Sequence, residues 1–189
     1  MIALGKAAYD SMKDKFDRGY VQVYTGNGKG KTTASIGLVV RALGAGLRVF
    51  FAQFIKGSRY SEIEALGRIS GPPSLVCRQY GEGRFIVGKP TESEYAAAKS
   101  GLEEAREAMK SGAYDLVVLD EANVAASLGL FSDDDLISLI DDKPQMVELV
   151  LTGRGASEKL MERADLVTEM REIKHYYQKG VMARRGIES

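Results

Sequence analysis

Short apolar runs alternate with helix-like segments along most of this chain. The first run, Tyr20–Tyr24, is rich in β-branched and aromatic residues and stops at a glycine-rich loop, as a buried strand does. Residues 32–43 then carry apolar side chains at helical spacing, and the run Leu47–Ala52 has the character of a second strand. A strand, a helix and a strand in this order predict a βαβ unit in a parallel sheet.

The alternation continues towards the C-terminus. Further strands are predicted over residues 115–120, 146–151 and 166–170, and further helices over residues 91–111, 132–140 and 157–163. Thr91 and Glu94 have the spacing of a capping box at the start of the first of these helices. Residues 58–88 mix glycines, prolines and charges around one weak strand candidate at 75–80, so we expect a long functional excursion that carries ligand contacts, with a merely irregular connection as the alternative.

The N-terminal segment predicts a separate helix. Apolar residues recur at about helical spacing from Leu4 to Phe16, which indicates an amphipathic helix over residues 1–18. This helix can pack on the domain, which the sequence favours, or act as a movable flap or dimer arm. Residues 19–189 have the length of a single domain. Charged residues interrupt the N-terminal apolar positions before a signal peptide or membrane span could form, so we expect a cytoplasmic protein.

The charge balance of the chain argues against nucleic acid and anionic membranes as partners. Lysine and arginine together number 26, and aspartate and glutamate also number 26. Such a chain has no global field to attract nucleic acid or an anionic membrane surface. We therefore expect neither as a partner, and any anion site must be local.

The loop after the first strand carries the main chemical signal. A phosphate loop follows the pattern G-x-x-x-x-G-K-[ST]. Gly30, Lys31 and Thr32 fit its end, whereas Thr25 takes the place of the first glycine and Gly26 follows it. The glycines still allow backbone N–H groups to approach phosphates, and the following helix adds partial positive charge at its N-terminus.

We therefore predict a site for a nucleoside triphosphate and Mg²⁺ at this loop. Lys31 would supply a full charge to the phosphates, and the Thr32 hydroxyl is placed to bind the metal. A glycine-rich hairpin with unrelated lysines is the alternative, but the strand before the loop and the helix after it disfavour that interpretation. The candidate nucleotide-binding residues of the loop are Thr25, Gly26, Asn27, Gly28, Lys29, Gly30, Lys31, Thr32 and Thr33.

Two acids end the strand predicted at 115–120. P-loop proteins use an acid at this position to hold Mg²⁺ directly or through water. Asp120 and Glu121 are therefore candidate metal ligands together with Thr32, although the spacing does not decide which acid touches the ion. His175 is the only histidine and lies in a segment rich in lysine and tyrosine, so we expect a solvated or structural role for it.

Several other stretches accompany the loop, and together they resemble one family. They are residues 23–34, 53–57, 118–123, 152–155, 164–170, 173–175, 180–181 and 186–187. In combination they are similar to the P-loop type ATP:corrinoid adenosyltransferases. The resemblance implies a P-loop NTPase-like, RecA-like three-layer α/β fold with a mostly parallel central sheet. It also implies transfer of the 5′-deoxyadenosyl group of ATP to the cobalt of a reduced corrinoid, cob(I)alamin or cob(I)yrinic acid a,c-diamide, with release of triphosphate.

The resemblance also assigns roles and partners. A Co(I) centre is itself a strong nucleophile, so the protein has to position the reactants and neutralise charge and need not supply a base. ATP contacts are implied for Asn27, Lys31, Thr32, Arg41 and Arg154, with the nucleotide lying in the opposite sense to the usual P-loop arrangement. The family further implies a reductant that takes Co(II) to Co(I), for which a flavoprotein is a candidate, and a homodimer. A P-loop ATPase or kinase and a nucleotide-dependent corrinoid carrier are the alternatives.

The corrinoid side departs from the family pattern. Bacterial relatives place a phenylalanine and a tryptophan near Gly83, where they help to exclude the lower axial ligand of cobalt. This chain has no tryptophan, and its stretch Gly81–Ile86 offers Phe85, with Ile86 in place of the second aromatic. Phe85 is therefore the candidate catalytic residue on the corrinoid side, beside Lys31, Thr32 and Glu121 on the ATP side. A core position for Phe85 is the alternative.

We expect Phe85→Ala to spare ATP binding and to slow reaction with the corrinoid, because the aromatic ring would act only on the cobalt ligand. Titration of the variant with ATP and measurement of its turnover with reduced cobalamin would check this. Equal losses in both would make Phe85 a structural residue.

Overall fold

The computed structural model describes residues 17–55, 57, 61–83, 86 and 88–188. The helix predicted over residues 1–18 lies almost wholly outside the described residues, and so does Phe85. The predictions made for both stay predictions.

Six strands form one sheet within the described residues, and every pair of neighbours is parallel. The spatial order is β3-β2-β4-β5-β1-β6. The prediction of a mostly parallel sheet is therefore confirmed. In the spatial order, β5 lies between β1 and β4. The strands are β1 (Val21–Thr25), β2 (Val49–Phe54), β3 (Leu75–Tyr80), β4 (Leu116–Asp120), β5 (Glu148–Thr152) and β6 (Leu166–Glu169).

Helices connect most of these strands and cover both faces of the sheet. Among the helices that the structure describes, none is long and apolar enough to span a bilayer. The α-helices are α1 (Lys31–Gly44), α2 (Ser61–Ile69), α3 (Glu92–Lys110), α4 (Ala122–Ser127), α5 (Asp133–Asp141) and α6 (Glu158–Arg163), followed by a short 3₁₀ helix, Tyr176–Lys179.

Helix α2 is an element that the sequence did not predict within the long excursion of residues 58–88, and Ser61, Glu62 and Ala65 of this helix line the cavity described below. The weak strand candidate of that region is confirmed as β3, but nine residues before it are helical. Acids in the first turn and Arg68 in the last turn suit the helix dipole. Leu66 is the one buried residue of this helix, and its apolar residues Ile63, Leu66 and Ile69 recur at a helical spacing that the interpretation of the sequence overlooked.

The core consists of two apolar layers, one on each face of the sheet. Alternate residues of β2 show the division, because Phe50 and Phe54 pack with α3 and Phe51 packs with α1 and α2. All residues of β2, β4 and β5 are buried, as expected for strands covered on both faces. The fold is therefore a three-layer α/β/α sandwich, as predicted.

Two capping boxes fix the starts of α3 and α5. The Thr91 hydroxyl accepts from the Glu94 N–H, and the Glu94 carboxylate accepts from the Thr91 N–H, as the sequence predicted. Ser132 and Asp135 form the same arrangement before α5. Hydrogen bonds from Ser132 lower the pKa of the Asp135 carboxyl.

The parallel topology brings the chemical residues to one edge of the sheet. The loop after β1 lies at the carboxyl edge, together with Asp120 at the end of β4 and Thr152 at the end of β5. Open α/β sheets bind ligands at this edge. Helix α1 runs from this edge back towards the amino edge.

We expect Gly101→Ala to destabilise the protein by about 1–3 kcal/mol, because a Cβ there would lie 2.5 Å from Cγ of Tyr80, the last residue of β3. Chemical denaturation measures the free energy of unfolding. Gly37→Ala in α1 is the matched control, since its Cβ would meet no described atom within 4 Å beyond its own helix backbone. The control should be neutral or gain up to about 1 kcal/mol. Equal effects of the two substitutions would contradict the packing argument.

Candidate functional site

The loop after β1 packs closely against the segment that follows β6. Gly26 and Gly30 have φ values of 93° and 119°, in the region that favours glycine. The Gly28 N–H donates to the carbonyl oxygen of Met170 at 2.7 Å. A Cβ on Gly26 would lie 2.4 Å from the same oxygen, so the approach needs glycine.

The predicted phosphate-binding lysine is folded over its own loop. Lys31 is buried, and its Nζ donates to the carbonyl oxygens of Gly26 at 2.6 Å and Gly28 at 2.8 Å. Burial lowers the pKa of Lys31, and the nearby Arg154 lowers it further. An anion in this place would favour the charged lysine, since it would offset both effects.

The carboxylate of Asp120 lies directly under the loop and is fully buried. Its Oδ1 accepts from the Thr32 hydroxyl at 2.9 Å and from the Thr152 hydroxyl at 2.7 Å. Its Oδ2 accepts from Nε2 of Gln53 at 3.0 Å. One carboxylate thus joins the start of α1 to the carboxyl ends of β2, β4 and β5.

Glu121 takes a different position from its neighbour. Its φ of 61° is in the left-handed region, and its N–H donates to the Thr152 hydroxyl at 3.1 Å. Ile55, at the end of the adjacent strand β2, also has a positive φ of 67°. Such strained residues cluster at functional sites. The two acids that the sequence left equivalent are therefore distinct, because Asp120 is buried and Glu121 borders a cavity.

This cavity has a volume of about 690 Å³ and lies in front of the loop. Its size is typical of small-molecule sites. It brings together most of the residues that the sequence predicted for the nucleotide and the metal. Those that line it are Gly28, Lys29, Gly30, Lys31, Thr32, Thr33, Glu121 and Arg154.

Five of the predicted residues do not line this cavity, and they are Thr25, Gly26, Asn27, Arg41 and Asp120. Thr25 is buried, and its hydroxyl accepts from the Ala156 N–H at 3.2 Å, so it fastens the start of the loop. Asp120 lies under the loop, and Asn27 borders a separate cavity beside Glu169.

Arg41 is the last of these residues. It lies in the last turn of α1 and lines a cavity with Glu148, the first residue of β5. Ten residues of helix place it about 15 Å along the axis from Lys31. The structure therefore does not bring Arg41 together with the loop cavity, and its predicted contact with ATP gains no support.

Sequence reasoning did not identify the partners of Asp120. Gln53 and Thr152 appeared only within the stretches that carry the family resemblance. Each is a polar residue in a strand that is otherwise almost wholly apolar, and each lies at or next to the carboxyl end. A polar residue at the carboxyl end of an apolar strand was therefore the sequence signal that could have identified Gln53 and Thr152.

The second omission concerns the C-terminal segment. His175 and the residues Gly186–Glu188 also line the cavity, although the sequence predicted a solvated or structural histidine. Nζ of Lys29 donates to the carbonyl oxygen of Ile187 at 2.6 Å and lies 3.9 Å from the Glu188 carboxylate. The end of the chain therefore returns to the phosphate loop.

We expect Thr152→Val to destabilise the protein by about 1–3 kcal/mol and to weaken MgATP binding, because the Glu121 N–H would lose its acceptor and Asp120 one of its donors. Thr152→Ser keeps the hydroxyl and should retain MgATP affinity. Chemical denaturation and calorimetric titration of both variants would check this. Equal MgATP affinities for the valine and serine variants would contradict the hydroxyl's role.

Comparison with known proteins agrees with this geometry. A corrinoid adenosyltransferase of Pseudomonas aeruginosa is 37% identical over 172 residues, which cover 91% of this chain and 84% of the relative. One from Sinorhizobium sp. is 37% identical and covers 99% of this chain and 89% of its own, and one from Escherichia coli K12 is 32% identical with 91% and 86% covered.

A solved structure supports the fold alone. The KaiC-like protein PH0186 of Pyrococcus horikoshii OT3 superposes with a TM-score of 0.57 at 19% identity, covering 84% of this chain and 76% of that protein. The likeness agrees with the predicted RecA-like P-loop fold. Residues 17–189 match the family described as ATP:corrinoid adenosyltransferase BtuR/CobO/CobP. The chain therefore belongs to the ATP:corrinoid adenosyltransferase family.

Proposed function

We propose that this chain transfers the 5′-deoxyadenosyl group of ATP to the cobalt of a reduced corrinoid and that the loop cavity holds the triphosphate of ATP. The observation that carries the proposal is the contact of Thr32 with the buried Asp120, beside Lys31 and in front of Glu121. A phosphate loop joined in this way to an acid-ended strand is the arrangement that P-loop proteins use for a nucleotide with its metal.

The cationic groups of the cavity suit a triphosphate. Lys29, Lys31 and Arg154 line it together with the backbone of the loop. Lys31 exchanges its bonds to the carbonyls of its own loop for bonds to phosphate oxygens when ATP binds. Charged hydrogen bonds of this kind contribute about 1.5–3 kcal/mol each.

The residues at the loop also fit Mg²⁺, which prefers hard oxygen ligands. The Thr32 hydroxyl donates its hydrogen to Asp120, and a hydroxyl oxygen that donates in this way can also bind a cation. We assign Thr32 as the direct protein ligand, Glu121 as the acid that faces the ion from the cavity wall, and Asp120 as the residue that orients Thr32. The ion would neutralise charge on the triphosphate.

The reaction needs no proton transfer. The electron pair of Co(I) forms the bond to C5′, the C5′–O bond breaks, and the oxygen leaves with its pair as part of triphosphate, while cobalt becomes Co(III). Negative charge grows only on the departing oxygen. In this proposal Lys31, Arg154 and the loop N–H groups stabilise that oxygen, and close alignment of C5′ with cobalt adds to the rate enhancement.

Two finer parts of the proposal come from the family resemblance. The substrate must reach the site as Co(I), which requires an external reductant, and a flavoprotein is the candidate. We also propose that the chain acts as a homodimer. Light scattering of the purified protein would give its mass and test the second part.

Product analysis tests the proposed activity. With MgATP and chemically reduced cobalamin, we expect intact triphosphate and a light-sensitive adenosylated corrinoid. ADP or inorganic phosphate alone would instead identify an ATPase or kinase, and binding without turnover would identify a carrier.

Lys31→Ala should weaken ATP binding and transfer together by a few kcal/mol, because it removes buried charged contacts. The matched control is Lys159→Ala, since Lys159 is an exposed lysine on α6 with 72% of its side chain accessible. Titration with MgATP and turnover with reduced cobalamin would measure both effects. Unchanged ATP affinity in Lys31→Ala would refute the assignment of the loop.

A further inference from the structure

We propose that His175 is a nucleotide-binding residue and that its Nε2–H donates a hydrogen bond to an oxygen of the triphosphate of ATP. The inference rests on the proposed function, because it assigns one more ligand contact to the same cavity. The sequence had predicted a solvated or structural role for this histidine.

The position of His175 is the first support. It lines the loop cavity together with Lys29, Lys31 and Arg154, although about 145 residues separate it from the loop. A side chain from the far end of the chain thus shares a wall with the cationic groups. It is half-buried, so its ring is held against the protein and yet reaches the cavity.

The fastening of the C-terminal segment is the second support. Glu188 accepts hydrogen bonds from the Tyr176 hydroxyl and from Nη2 of Arg184, the latter at 3.1 Å. The guanidinium of Arg184 lies 5.1 Å from the centre of the Tyr176 ring. These contacts close residues 175–188 into a loop of their own, and Lys29 joins that loop to the phosphate loop through Ile187. His175 therefore keeps its place beside the phosphates.

The hydrogen bonding of the imidazole decides which nitrogen faces a ligand. Nδ1 of His175 accepts from the Tyr177 N–H at 3.0 Å, at the start of the 3₁₀ helix. A neutral imidazole that accepts at Nδ1 carries its proton on Nε2. Nε2 has no partner among the described residues, so the ring offers one N–H donor to the cavity.

The chemistry of the cavity decides what that donor binds. Lys29, Lys31 and Arg154 line the same space and supply cationic donors, and the carboxylates of Glu62 and Glu121 line it as well. The Glu188 carboxylate already has partners in Tyr176 and Arg184. A triphosphate is rich in acceptor oxygens, and a neutral donor contributes to its binding without the repulsion that another cation would have from Lys31 and Arg154.

Three substitutions separate a binding role from a capping role. An asparagine can place its oxygen near Nδ1 and keep the bond from the Tyr177 N–H, but it lacks a donor at Nε2. A glutamine can place its amide N–H near Nε2 and loses the cap, and His175→Ala loses both. The probes are MgATP and magnesium triphosphate, with dissociation constants from calorimetric titration and Tm from thermal unfolding.

We expect His175→Asn and His175→Ala to raise the dissociation constants of both probes by about ten-fold or more, as the loss of a hydrogen bond to a charged group predicts. His175→Gln should stay closer to the unaltered protein in affinity while losing Tm. Met182→Ala is the control in the same segment, since Met182 is 70% exposed and lies outside the cavity lining.

Two results would overturn the assignment. If His175→Asn binds like the unaltered protein while His175→Gln is as weak as His175→Ala, the histidine only caps the 3₁₀ helix. If ATP affinity falls but triphosphate affinity does not, the contact is not to a phosphate. Lys31→Ala, titrated in parallel, separates the two proposals, because unchanged triphosphate affinity in that variant would count against the loop itself.

Discussion

The buried carboxylate of Asp120 is the constraint on which the site depends. A carboxylate that is wholly removed from water is costly unless donors surround it, and here Thr32, Thr152 and Gln53 supply them. These donors come from the start of α1 and from two strands that flank β4. Because this one carboxylate must accept hydrogen bonds from all three donors, it fixes the position of the phosphate loop relative to the carboxyl ends of the neighbouring strands.

The same constraint separates the tasks of the two acids. Asp120 is held by hydrogen bonds, so it orients the Thr32 hydroxyl and keeps a fixed negative charge beneath the loop. Glu121 turns outward through a left-handed backbone conformation that its N–H bond to Thr152 supports. A strained backbone conformation persists only where the surrounding structure holds it. The Thr152 hydroxyl contributes to this, because it accepts a hydrogen bond from the Glu121 N–H and donates one to the Asp120 carboxylate. Sequence spacing shows that the two acids are neighbours but does not show that their side chains point in different directions, which is why it left the two acids equivalent.

Local signals were enough for most of the fold, and long-range contacts account for what they missed. The strand before the loop, helix α1 and the capping box of α3 follow from periodicity and short-range chemistry. Helix α2 has apolar residues at helical spacing, but it is short and the glycines, prolines and charges around it obscured the pattern. Gln53 and His175 reach the site only because distant segments converge. Arg41 lies in the last turn of α1 and lines another cavity, so its contact with ATP stays a prediction from the family resemblance.

A phosphate loop is compatible with alkyl transfer because it acts on the leaving group. In phosphoryl transfer the loop stabilises charge on the oxygens around the attacked phosphorus. When the attacked atom is C5′, the entire triphosphate departs, and the same N–H groups and Lys31 meet charge on its oxygens. The difference between the two reactions then lies in which end of ATP faces the nucleophile. A nucleophile as strong as Co(I) needs no base, so under the proposed function the described residues around the cavity would only have to hold the triphosphate and let C5′ face cobalt.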